Sequence, residues 1–141
     1  MDITAVAIGG EYSRTSESDV VRLHFDLRDL KIILHTAAAD GSDAAVEYRF
    51  RRPHGFRWLD DGDLVRYWES GAFPRGHHLF EITSGGWRAQ EMQLRGMLSV
   101  TDSIGTREFF VCTTNGCVNV LSASEPQVAE VVGEGAFEHG A

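Results

Sequence analysis

"EFFVCTTNGCVNVLS", residues 108 to 122, places two strand-forming apolar runs on either side of Asn115-Gly116, the dipeptide preferred in two-residue type I′ turns. It reads as a β-hairpin. With that turn, Thr114 faces Cys117, Val111 faces Val120 and Cys112 faces Asn119. The two cysteines then share a face but sit diagonally, which argues against a disulfide between them. "SEPQVAEVV" follows, where Ser124 as a cap and Pro126 in the first turn favour a short closing helix over one more strand.

Upstream, "HLFEITSGGWRAQE" (78–91) reads as a second hairpin, with Phe80 and Ile82 inward and Gly85-Gly86 supplying the unusual backbone angles of its turn. Earlier still, "ITAVAI", "DVVRLHFDL" and "LKIILH" look like successive strands. In the second of these, Val21, Leu23, Phe25 and Leu27 alternate with Arg22, His24 and Asp26. "DGSD" at 40–43 is a turn by composition, and "VEYRFRR" then sets Val46, Tyr48 and Phe50 against Glu47, Arg49 and Arg51. "DDGDLVRYWES" is the one convincing helix of the first hundred residues, opened by acids and ended by Gly71, with Leu64, Tyr67 and Trp68 on one face. The expected fold is α+β: a mainly antiparallel sheet of successive hairpins, with one or two short helices.

A chain of 141 residues suits one domain, here residues 1–132, with the Gly- and Glu-rich stretch 133–141 around Phe137 as a mobile tail. Thirteen cations against twenty-one acids give −8, which disfavours nucleic acid and anionic membrane and favours a basic partner. Lys31 is the sole lysine among those cations, a bias that points to codon usage before it points to bidentate recognition. No signal-peptide pattern and no span of membrane length is evident, so the expected setting is cytoplasmic, with thiols at Cys112 and Cys117.

Candidate chemistry is sparse. Neighbouring His77 and His78 point to opposite sides if extended and fit a surface loop, and His24 and His35 lack a third ligand, so no metal is expected. Asp60, Asp61 and Asp63 do not follow an EF-hand spacing and suit helix capping. Glu81 and Glu91 flank the Gly-Gly step as a conceivable acid/base pair, but solvated strand positions explain them more simply. Cys112, in mid-strand, fits a small core residue better than a nucleophile. The standard catalytic fingerprints and cofactor-binding motifs are missing, so no cofactor is expected. "VEYRFRRPHGFRW" carries four Arg against one Glu, interleaved with Tyr48, Phe50, Phe56 and Trp58, as a single-strand nucleic-acid groove does; alternation on a half-buried strand makes the same string.

Phe80, Glu81, Ile82, Ser84, Gly85, Gly86, Trp87 and Glu91, followed by Val118, Val120, Leu121, Glu125 and Pro126, give the C-terminal half a pattern that resembles a group of small bacterial proteins. In these, a strand ending in S-G-G-W and an acid precedes a hairpin closing on V-L-x-x-x-x-P. The group includes many immunity proteins, and the resemblance implies a non-enzymatic module that blocks the site of a cognate toxin. Its expected partner-binding residues are Trp87, Glu81, Glu91, Asp60, Asp61 and Asp63, offering an acidic and aromatic surface. The alternative expectation is a small-ligand binder or enzyme with a pocket between the sheet and the helix of Leu64, Tyr67 and Trp68, using Glu81, Glu91 or His78.

Overall fold

Alternation of apolar and polar residues along a strand buries one face, and strands whose two faces are both apolar must be covered twice. Both cases occur here. A computed structural model of the chain describes residues 2–8, 12–13, 18–38 and 40–131, so the stretch read as a tail lies outside the described residues. Sheet A has five strands in the order β1 (Thr4–Ala7), β7 (Leu79–Ser84), β8 (Arg107–Cys112), β9 (Gly116–Ser122), β6 (Gly55–Asp60). Sheet B runs β10 (Gln127–Glu130), β5 (Asp43–Arg51), β4 (Asp29–Ala38), with β2 (Tyr12–Ser13) and β3 (Asp19–Phe25) both pairing β4. All pairings are antiparallel, giving the α+β, mainly antiparallel architecture expected.

The sheets pack face to face. Leu30, Ile32, Leu34, Val46, Tyr48 and Phe50 of sheet B meet Leu79, Phe109, Val111, Val118 and Val120 of sheet A in one apolar cluster. The opposite face of sheet A builds a second cluster, in which Phe80, Ile82, Phe110, Cys112 and Cys117 lie under Leu64, Tyr67 and Phe73. This second cover explains why β9 is buried at every position on both faces, including the polar Asn119 and Ser122. It comes from a 3₁₀ turn at Asp61–Asp63, the helix α1 (Val65–Glu69) and the segment after it. Two more short helices, α2 (Trp87–Met92) and α3 (Ser99–Ile104), connect β7 to β8.

Several expectations are corrected. The tip of the β8–β9 hairpin is not a type I′ turn, because neither Asn115 nor Gly116 has a positive φ. Instead the Thr113 hydroxyl oxygen accepts from the N–H groups of Asn115 (3.2 Å) and Gly116 (3.0 Å). That side-chain turn lengthens the loop and moves the register by two, so that Val111 faces Val118, Phe110 faces Asn119 and Cys112 faces Cys117 directly. Gly85-Gly86 does not turn a hairpin: β7 ends there and α2 begins. "QVAE" is the edge strand β10 rather than a helix, because the open edge of β5 offers partners to Gln127 through Glu130. In β3 a bulge near Val21 puts Val20 and Leu23 against the core, while Leu27 sits at φ 74 in the following turn.

The arginine-aromatic stretch is divided by Arg52 (φ 44) and Pro53, which carry the chain from sheet B into sheet A. Tyr48 and Phe50 belong to the core between the sheets and Phe56 packs against it, so these rings are not available for base stacking.

Candidate functional site

Trp58 remains 49% exposed near the end of edge strand β6. Its indole lies across Gly116, where a Cβ would come within 2.3 Å of Nε1, so the close approach holds the ring flat on the hairpin tip. The acids follow immediately. Asp60 accepts from the Gly62 N–H (2.8 Å), and the Asp61 backbone is fastened at both ends. Its N–H donates to the Asn115 carbonyl (2.7 Å) and its carbonyl accepts from the indole N–H of Trp68 (2.7 Å). Partial burial, then a hydrogen bond and charge from Asp60, push the Asp61 carboxyl above its ordinary value. Asp60 and the acids of the turn Asp61–Asp63 thus follow Trp58 closely along the chain, on backbone tied down at Asp60 and Asp61.

Trp87 opens α2, half-buried. Its ring lies over Gly55, 3.6 Å from where a Cβ would stand, and the Arg57 guanidinium sits 5.3 Å above it. The beginning of α2 is anchored by Glu108, a buried carboxylate that accepts from the N–H groups of Trp87 (3.1 Å) and Arg88 (2.9 Å) and from the Asn119 amide (2.8 Å). Asn119 in turn accepts from Arg57 Nε (3.1 Å), and both Arg57 and Asn119 donate to the Tyr67 hydroxyl, at 3.1 and 3.2 Å. Burial raises the Glu108 carboxyl above its usual range against the pull of these donors. Burial, then the Glu108 charge, raises the Tyr67 phenol.

The Gly-Gly step is explained by this site. Gly85 (φ 74) lies so close to the Asp2 carbonyl that a Cβ would come within 2.2 Å, and a Cβ on Gly86 would reach 2.8 Å from Glu108. The Gly85 carbonyl accepts from Arg66 of α1 at 2.7 Å, joining the two helical layers.

Glu81 and Glu91 are not brought together. Glu81 pairs with Arg107, at 2.6 and 2.9 Å, on the sheet A face that looks to sheet B, and these bonds hold its carboxyl below the usual value. Glu91 sits on α2, anchored over the other face. His77 and His78 precede β7 and lie outside any strand, and His78 is buried rather than on the surface. Its Nδ1 donates to the Cys112 carbonyl (2.8 Å), which leaves Nε2 to accept from the Thr36 hydroxyl (2.7 Å) and ties β4 to β8. His24 lies opposite Lys31, four positions along β4 from His35, or roughly 13 Å at strand spacing. Among the described residues no three His, Cys, Asp or Glu gather as metal ligands. Nor is any helix of the described residues long and apolar enough to cross a membrane.

Between sheet A and α1 the space is filled by rings, with Tyr67, Phe73 and Phe110 centred 4.9 to 5.5 Å apart. A cavity of about 60 Å³ lies instead beside Glu108, lined by Ile82, Ser84, Gly86 and Arg88; it has room for a few waters rather than a metabolite.

Sequence reasoning passed over Glu108 and Asn119 as site residues and weighed Trp58 only as a base-stacking ring. A carboxylate within "REFFVC" was the available signal, since an acid flanked by residues buried on both faces has to find donors. Comparison with family models, with curated proteins and with solved structures finds no match to this chain.

Proposed function

We propose that the chain is a non-enzymatic protein-binding module that docks on a basic partner through the acidic rim of Trp58, Asp60, Asp61 and Asp63. The observation that carries the reading is Trp58, half-exposed and followed closely along the chain by three acids. Tryptophan supplies large contact area at little entropic cost and is enriched among interface hot spots. The acids add directional attraction to a chain already at −8, so a basic partner is steered at long range. In its finer form the module is a bacterial immunity protein, acting in the cytoplasm, that covers the active or substrate-binding site of a cognate toxin. Trp87, held over Gly55, and Glu81, paired with Arg107, then serve the fold away from the rim.

The test is a pull-down with tagged wild-type protein and with a variant combining W58A, D60N, D61N and D63N, washed at low and high salt. One basic protein held by the wild type, released by salt and lost with the variant is the expected result. Equal retention of that protein by both forms refutes the rim as the interface, and retention of no protein by the wild type refutes the module.

A further inference from the structure

We propose that Cys112 and Cys117 are a redox pair that closes reversibly into a cross-strand disulfide. The two residues face each other across β8 and β9. The Thr113 N–H donates to the Gly116 carbonyl (3.2 Å), and the Cys112 N–H points the other way, to the His78 carbonyl on the β7 side (2.8 Å). Cys112 and Cys117 therefore occupy a non-hydrogen-bonded position of the ladder, where facing Cα atoms approach to about 4.5 Å. That separation falls within the range of roughly 4.4 to 6.8 Å that disulfides span. The direction of the side chains agrees, since both thiols join the same cluster under α1, with Phe110, Tyr67 and Leu64. A diagonal pair would need the strands to slide, whereas this one needs only side-chain rotation.

Both residues are fully buried, so oxidation requires a small oxidant entering while α1 or the hairpin tip opens. With a peroxide the step is balanced. One thiolate attacks the peroxide oxygen, the O–O bond breaks and, with hydrogen peroxide, a first water leaves. The second thiolate then attacks the resulting sulfenic sulfur, forming the S–S bond and releasing a second water. Two electrons pass from the sulfurs to the peroxide, and a dithiol reductant reverses the change by exchange. The inference is independent of whether the acidic rim binds a partner.

Reduced, folded protein is treated with stoichiometric hydrogen peroxide, denatured, alkylated with iodoacetamide and digested with trypsin. No Lys or Arg follows Arg107, so both cysteines fall in the single peptide Glu108–Ala141. The expected product is that peptide lighter by two hydrogens and carrying no alkyl group, with both alkylation sites restored by dithiothreitol. The oxidised protein is expected to melt cooperatively and no lower than the reduced form. Two alkyl groups after peroxide, a bond found only between chains, or a disulfide that abolishes cooperative melting each overturns the proposal.

Discussion

Alanine at Gly85, Gly86 and Gly105 separates two reasons for using glycine. Gly105 ends α3 at φ 75 with open space where a Cβ would stand, so G105A incurs only the left-handed conformation, about 1 kcal/mol. Gly85 has nearly the same φ, but its Cβ would meet the Asp2 carbonyl oxygen at 2.2 Å. Backbone cannot swing aside as a side-chain tip can, and overpacking adds about 1 to 3 kcal/mol, so G85A is expected to cost about 2 to 4 kcal/mol. Gly86 is the converse case. Its φ of −87 suits any residue, and the whole cost of G86A lies in contact with Ile82 (2.7 Å) and Glu108 (2.8 Å). Three hydrogen bonds hold the Glu108 carboxylate, so moving it also loosens the start of α2, for about 1 to 3 kcal/mol. Urea unfolding gives the free energies, and thermal melting should fall by roughly 3 °C per kcal/mol for a chain of this size. If G85A and G86A both cost no more than G105A, then neither Asp2 nor Glu108 packs on the Gly-Gly step, and the account of that step fails.

Trp87 covers Gly55 and carries Arg57 on its ring, so W87A should lower stability by about 1 to 3 kcal/mol in denaturant unfolding; unchanged stability would mark Trp87 as a docking anchor instead. Glu81 and Glu108 predict opposite pH effects. The depressed Glu81 carboxyl contributes stability that is present above the unfolded value near 4.5 and lost as pH falls through its folded value, so E81Q should flatten the acid limb of a stability-pH curve. For Glu108 the folded value is raised, so its contribution is complete below 4.5 and lost as pH rises through the folded value. E108Q should therefore gain on the wild type across that window, and a constant difference would contradict the raised value. A Cβ at Gly116 cannot share space with the Trp58 indole, so G116A should swing the ring into water, red-shift its fluorescence and, on the proposed function, weaken partner binding.

Elements whose pattern is local were legible in the sequence. Val46, Tyr48 and Phe50 alternate cleanly with Glu47, Arg49 and Arg51, and the β5 strand follows that pattern. The β8–β9 hairpin was legible too, because both of its arms are apolar and strand-forming. Its register was not, since the Thr113 hydroxyl competes for the backbone N–H groups that Asn115-Gly116 would otherwise direct. Gly85-Gly86 was misread for a different reason. The sequence marks where glycine occurs, but the atoms that demand it, the Asp2 carbonyl and the Glu108 carboxylate, belong to distant segments. The same holds for β10, whose strand character depends on the open edge of β5 rather than on Ser124 or Pro126. Of the candidate site, the acids at 60, 61 and 63 were legible by type. That Trp58 would stay exposed, and that Trp87 would lie against the sheet, depends on which face each strand turns outward.

The pairing of β1 with β7 has a kinetic consequence. Thr4 lies opposite Ser84, 80 positions later, whereas β3, β4 and β5 pair through short local turns. At ribosomal speeds of about 5 to 20 residues per second, the first strand waits roughly 4 to 16 s before its partner exists. The β3–β5 meander of sheet B can close meanwhile; sheet A must assemble later around an N-terminal segment held in reserve, and β10 joins β5 only after β9 has been made. A ribosome stalled before residue 79 would therefore present an apolar sheet B face with no lid, together with an unpaired β1, a state suited to capture by chaperones.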